Sequence, residues 1–359
     1  MPWYTNEGKD PHHTLRTDTQ YMRNFAALAF CSRAAENQKK ALLGELEKLL
    51  EANGFKKEAI PQSTAHRLSY VEKGYLDTYG FAFADNDVLN DSFDCSLYFN
   101  EPCSLAVTIG GRDLLTIRAL LPGRAIKEAQ SIASEAEELF DKKFEFAYSE
   151  RFGYLSPSLE RCGSGEIMSV VLFLPALSLS DEIFTLSRHC QGFGATLSPM
   201  FKHKGNPGDL YTVAYSPHHL CDRKAASSGF DALISNIISK EKQYEGIIFS
   251  ERSKIITDKA YRALGSLLYA RRMSEDEMLA HLSSLRLLCA AYPDKKDEQA
   301  LPLQKINILF AECLNASVAS FDSNIRTQDE LEEMRSLRIK ELLNDKKIVP
   351  EPSITSKKV

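Results

Sequence analysis

Hydrophobic spacing changes character once along this chain, at Pro217, and that change limits the folds open to it. Between residues 65 and 220 the apolar segments are short and β-rich: SLYFNE, SLAVTIGG, LLTIRAL, SVVLFLPAL and LYTVAYS, each bounded by Gly, Pro or Asn. Helical spacing interrupts them at 124–142 and 179–192. After Pro217 nearly everything reads as helix. Phe230, Leu233, Ile237, Tyr244 and Ile248 begin a long amphipathic segment, and 261–273 follows. Ser274-Glu-Asp-Glu277 is a capping box opening a helix to Ala291, Pro293 stops it, and 302–320 and 328–345 supply two more. Arg33 to Asn53 reads as an amphipathic helix closed by Asn53-Gly54, whereas residues 1–25 read as irregular. Strands with interspersed helices, then helices alone, predict an α/β or α+β sheet domain followed by a helical bundle.

A chain of 359 residues suits two domains, at roughly 100–200 residues each. The net charge of −5 gives no global electrostatic case for nucleic acid or acidic membranes as partners. Eight cysteines (31, 95, 103, 162, 190, 221, 289, 313) include no Cys-x-x-Cys pair, which fits neither a zinc ribbon nor a disulfide framework. With no charged-then-apolar amino-terminal segment, the expectation is reduced thiols in a cytoplasm. The longest apolar run, 169–179, is too short for a membrane span and contains Pro175.

Single motifs leave function open. Gly163-Ser164-Gly165 could cradle a phosphate through close backbone N–H groups, although a plain turn between strands is the commoner meaning of such a triplet. Lys202-His203-Lys204-Gly205-Asn206-Pro207-Gly208 could grip an anion or form a solvated hairpin tip. His218, His219 and Cys221 could form a metal corner, but without a second ligand pair a capped loop is the commoner meaning. No Gly-x-Ser-x-Gly elbow is present, and Glu72 and Glu101 are acids without a marked partner.

Taken in succession, the segments resemble something specific. FAYSERFGYLSPSLERCGSGEIMSVVLFLPALSLSDEI is similar to the phosphagen (guanidino) kinase family, nearest its bacterial protein-arginine-kinase branch, McsB. Gly153-Tyr154-Leu155, Gly163, Gly165 and Leu174-Pro175-Ala176-Leu177 match the branch's pattern. YVEKGYL at 70–76 resembles its Val-Glu-Lys-His-Leu, and 258–287 resembles its helical carboxy-terminal domain; the likeness runs over about residues 15–345. It implies an α+β fold, with a phosphagen-kinase-like catalytic domain, an antiparallel sheet flanked by helices, over 1–252. A helical dimerisation or interaction domain at 253–345 and a flexible tail at 346–359 complete the expected organisation.

The family's chemistry moves a phosphoryl group from ATP, carried with Mg²⁺, to a guanidinium. It needs arginine forks around the phosphates and a carboxylate to take the proton. By resemblance, the first phosphate motif falls on Arg16 to Asn24: Arg23 and Asn24 remain, but the two phosphate arginines become Asp18 and Gln20. The family's Asn-Glu-Glu-Asp-His-Leu-Arg box falls on Gly110 to Thr116, so the catalytic glutamate becomes Arg112 and another phosphate arginine becomes Thr116. The arginine of the Gly-Thr-Gly-x-Arg segment becomes Ile167, the reactive cysteine becomes Ser158, and no arginine stands near Leu197-Ser198 for the last clamp. Lys202, Lys204 and Glu72 are the candidates for a residual site. In the carboxy-terminal helices an Arg-Asp-x-x-Arg-Ala element that binds phosphoarginine falls on Leu331 to Ser336, leaving Glu332 and Arg335 as its remnant. The expectation is therefore a homologue without phosphotransfer and without a bound cofactor, acting as scaffold or adaptor in protein quality control or regulation. The alternative is an active ATP- and Mg²⁺-dependent protein arginine kinase with a rearranged site. The partners implied are a second copy, a McsA-like zinc-binding protein and a Clp-type unfoldase.

Overall fold

A computed structural model describes residues 3–30, 36–58, 96–100, 104–110, 113–201, 205–291, 301–321 and 327–344. Its centre is an eight-stranded antiparallel sheet. The strands are β1 (Thr14–Arg23), β2 (Lys56–Glu58), β3 (Ser96–Phe99), β4 (Leu105–Ile109), β5 (Leu115–Pro122), β8 (Glu166–Phe173), β9 (Ala195–Pro199) and β10 (Leu210–Tyr215). They lie in the order β2-β3-β4-β5-β1-β8-β10-β9, while β6 (Tyr148–Ser149) and β7 (Gly153–Tyr154) form a separate small hairpin.

The first departure from the sequence reading is β1. A segment that reads as irregular is one of the central strands, paired with β5 on one side and β8 on the other. Its sequence TLRTDTQYMR hides the alternation, because polar Thr17 and Thr19 share the inward face with Tyr21, and all three are buried. Thr17 is satisfied there by donating its hydroxyl to the Gly123 carbonyl at 2.7 Å.

Helices α1 (Glu36–Ala52) and α2 (Ile126–Asp141) cover one part of that inward face, and the first half of α5 (Arg223–Tyr269) covers another. Ala129, Ala133, Ala136 and Phe140 recur at helical spacing along α2 and are all buried against Tyr21, Ile117 and Ala119. Short α3 (Pro175–Leu179) and α4 (Ile183–Phe193) fill the β8-to-β9 connection. Pro175 at the first turn ends the apolar strand and starts α3, so the run 169–177 is a strand only as far as Phe173.

Helix α5 opens on Asp222, whose carboxylate accepts the Ala225 N–H at 2.8 Å. It merges the two segments expected at 230–248 and 261–273, with a kink at Arg252 (φ −130°, ψ 18°). Beyond the kink, α5 packs with α6 (Glu275–Ala291) and α9 (Gln328–Asn344); α7 (Leu303–Glu312) packs against both of these, and α8 (Asn315–Phe321) against α7 and α9. Ser274 caps α6 as the sequence indicates, accepting the Glu277 N–H at 3.2 Å. The helical core is continuous with the sheet: Leu120, Val171 and Phe173 pack in one cluster with Met278, Leu279 and Phe310. Arg286 pins this junction. It is fully buried, donates to the Pro11 carbonyl at 2.6 Å, to His12 at 3.2 Å and to Asn307, and lies over the Phe173 ring. Burial pulls its pKa down to about 9. Among the described residues, no helix is long and apolar enough to cross a membrane.

Candidate functional site

The outward face of the sheet gathers several residues that the sequence singles out. Asp18 and Gln20 on β1 stand across from Leu120 and Arg118 on β5, and from Ser169 and Ile167 on β8. Thr116 pairs with Met22 in the same register. Because alternate residues share a face, Asp18, Gln20, Thr116 and Ile167 lie side by side. Helices α6 and α7 cover the end of this face marked by Leu120 and Val171, and Gln20, Thr116 and Ile167 are half-buried at its other end.

Arginines are present on this face, one pleat away from the positions named by the resemblance. Arg118 stands two residues beyond Thr116, and Arg16 two residues before Asp18. Arg118 donates through Nε to Asp18 Oδ2 at 2.6 Å and through Nη2 to the same oxygen, and the two side chains are only 13% and 8% exposed. Asp18 is therefore one half of an ion pair rather than a lone negative charge. Arg16 is also buried, so neither guanidinium is displayed on an open surface.

A second cluster surrounds Asp113, which is buried at the start of β5. Asn24 Nδ2 donates to its carboxylate at 2.8 Å, Ser156 Oγ at 2.8 Å and Arg161 Nη1 at 3.2 Å. Asn24 also accepts the Leu114 N–H at 3.0 Å and donates to the Leu155 carbonyl at 3.0 Å, tying β1, β5 and the 155–162 segment together. Motif reading missed this network, although Asn24 and Asp113 both match the family's residue types. Ser158 lies in the same segment and precedes a single 3₁₀ turn, Leu159–Arg161; its carbonyl accepts the Arg161 N–H at 3.0 Å.

Next to this segment is a cavity of about 550 Å³ between residues 151–167 and 216–219, with Met22 and Ile167 in its wall. Behind it, Arg23 is fully buried, donates to Glu137 at 2.6 Å and stacks 3.6 Å over the Tyr154 ring. Burial pushes Glu137 toward the neutral acid, but Arg23 and Arg223 outweigh it and hold its carboxyl below the usual range. At Glu166 the balance goes the other way: burial raises its pKa and outweighs the hydrogen bond from Gln130 at 2.7 Å and the nearby charges of Arg223 and Arg23.

Other positions expected from sequence fall elsewhere. His218 and His219 stack with centroids 4.3 Å apart, and His218 Nδ1 accepts the Leu220 N–H at 3.3 Å. Among the described residues no group of three His, Cys, Asp or Glu side chains is placed to hold a metal ion. Glu72, Arg112, Lys202 and Lys204 lie outside the described residues. Arg335 is fully buried; it donates to the carbonyls of Met273 at 2.7 Å and Cys313 at 2.9 Å, and to Asn315. Glu332 pairs with Arg272 at 3.1 Å on the surface instead of joining Arg335 in a pocket.

Sequence and structure comparisons place this architecture. Residues 34–251 match the model of the family described as ATP:guanido phosphotransferase, C-terminal catalytic domain. That span begins after β1, so Asp18 and Gln20 precede it. The protein-arginine kinase of Halothermothrix orenii is 24% identical over 294 residues, covering 79% of this chain and 81% of that one. The protein-arginine kinase of Pelotomaculum thermopropionicum is 24% identical over 291 residues, covering 79% and 80%. Among solved structures, the substrate-free duplicated taurocyamine kinase from Schistosoma mansoni aligns with a TM-score of 0.52 at 15% identity, over 64% of this chain and 32% of that one. Lombricine kinase aligns with a TM-score of 0.50 at 14% identity, over 65% and 67%. By the family match, and with a fold shared with these kinases, the chain belongs to the ATP:guanido phosphotransferase family.

Proposed function

We propose that this chain is a protein-arginine-kinase homologue that has lost phosphotransfer and works as a scaffold or adaptor in protein quality control or regulation. The observation that carries this reading is the Asp18–Arg118 pair, which commits the guanidinium on this part of the sheet to a neighbouring carboxylate. A polyphosphate does not fit the surrounding side chains: Gln20 and Thr116 are neutral, and Ile167 offers no donor. One arginine that stabilises a moving phosphoryl group is worth about 10³–10⁵ in rate, and a general base about 10²–10⁴. Loss of several clamps together with the base at position 112 therefore removes any useful rate, even though grouped effects do not multiply.

The partners in this reading are those of the branch: a second copy of the chain through the helical region, a McsA-like zinc-binding protein and a Clp-type unfoldase. ATP and Mg²⁺ are not required. The test is thermal unfolding with and without millimolar Mg²⁺-ATP, because a ligand at one hundred times its Kd stabilises by about 2.7 kcal/mol. The expected result is no shift. A clear shift would instead favour an active kinase with a rearranged site.

A further inference from the structure

The cavity of about 550 Å³ beside Ile167 differs from its larger neighbour in the charge of its lining. Arg151, Arg161, His218 and His219 line it, and no carboxylate does among the described residues. Asp113, beneath Arg161, holds that guanidinium in the wall at 3.2 Å. His218 accepts the Leu220 N–H on Nδ1, which leaves its ring proton on Nε2 as a donor. The larger neighbouring cavity, about 770 Å³, has Asp141, Glu145 and Glu166 as well as Lys142, Lys143 and Arg223, and so favours neither sign.

The floor of the smaller cavity is the Gly163-Ser164-Gly165 loop, with φ of 139° at Gly163 and 54° at Gly165. Among the described residues, no group accepts the N–H of Ser164 or Gly165. Backbone N–H groups in such a turn form an anion-binding concavity. The loop is held firmly: Tyr154 and Gly163 exchange hydrogen bonds of 2.7 and 3.1 Å. Gly153, at φ 73°, is needed there because a Cβ would collide with the Gly163 carbonyl and His219. A compact, multiply charged oxyanion matches this set of forked and backbone donors.

The mouth carries large exposed apolar side chains as well. Leu159 is 89% exposed and Phe152 53%, both lining the cavity, and Leu220 beside His219 is 76% exposed. A free inorganic anion gains nothing from them, whereas a peptide with apolar neighbours does. We propose that this cavity is a docking site for a phosphorylated segment of a partner protein. The phosphoryl group sits among Arg151, His218 and the Ser164–Gly165 amides, with Arg161, paired with Asp113, forming the wall behind it, and the flanking residues pack on Phe152 and Leu159. The inference rests on the adaptor reading and gives it a partner chemistry.

The test uses the full chain and a fluorescein-labelled nine-residue peptide with a central phosphoserine between leucine and phenylalanine. Its serine and glutamate counterparts serve as references, and inorganic phosphate serves as competitor. Fluorescence anisotropy is expected to show the phosphoserine peptide binding at least tenfold tighter than either counterpart, and inorganic phosphate competing far more weakly than the peptide. Arg151→Glu and His218→Ala, both exposed and chosen because Arg161 also supports buried Asp113, are each expected to raise the Kd at least fivefold. Lys142→Glu, on the neighbouring cavity, is expected to leave it unchanged. Equal binding of the three peptides, no binding at millimolar concentration, phosphate competing as well as the peptide, or equal loss in Lys142→Glu would each overturn the site. The peptide comparison decides the docking site alone, and an assay of phosphate transfer decides the adaptor reading separately.

Discussion

Replacing Asp18 with arginine tests whether the old phosphate face could be restored by returning a family residue. Asp18 and Arg118 are 8% and 13% exposed and linked through two donor nitrogens. Breaking a buried pair from one side costs about 3–5 kcal/mol, because the remaining charge stays desolvated. Asp18→Asn should therefore cost about that much. Asp18→Arg should cost at least as much, since it sets a second cation against Arg118. With a urea slope of roughly 3 kcal/mol/M, the midpoint falls by about 1–1.7 M. Urea unfolding followed by circular dichroism, with hydrogen exchange read on β1, measures both variants. A surface residue idle on an open ligand face would change stability by no more than about 0.5 kcal/mol. If Asp18→Arg keeps its midpoint and gains affinity for ATP, the ion pair is not structural and the reasoning fails.

Two further outcomes follow from buried charge. Glu241 is fully buried, accepts the N–H groups of Ala176 at 2.6 Å and Leu177 at 3.0 Å, and is pushed by burial from 4.5 up to about 8. The folded chain keeps this proton after the unfolded chain has lost it. Glu241 thus makes stability fall as pH rises between 4.5 and about 8, by at most about 1.4 kcal/mol per pH unit. Glu241→Gln should flatten that slope in urea titrations run across this window, and an unchanged slope would exclude Glu241 as its source. Arg335→Ala strands the carbonyls of Met273 and Cys313, each at about 1–3 kcal/mol. Hydrogen exchange over 303–321 and 328–344 should accelerate sharply in that variant, whereas intact protection would show that Arg335 is not a structural anchor.

Local signals were legible where the chemistry is local. The Ser274 capping box and the helix over 126–141 read directly from sequence, whereas the strand end at Phe173, inside an apolar run read as one β segment, did not. Strand β1 did not, because its inward side carries threonines that tertiary hydrogen bonds satisfy. The pairing of Asp18 with Arg118 spans one hundred positions and follows from strand register, which no local pattern encodes. Arg335 reads on a charged helix as a solvated or ligand-binding residue; only the docking of α9 against Met273 and Cys313 makes it an anchor. Asn24 and Asp113 match family residue types, but their mutual hydrogen bond needs the two strands side by side. The family itself was legible because its motifs come in order along the chain.

The account stands or falls on phosphate transfer. The purified 359-residue chain, incubated with Mg²⁺-ATP and an arginine-rich protein substrate, should give no phosphoarginine by mass spectrometry run under conditions that preserve the N–P bond. A parallel reaction with the Halothermothrix orenii relative serves as the positive control. Phosphoarginine formed by this chain above the no-enzyme background, and lost on omitting ATP, would contradict the proposed loss of phosphotransfer.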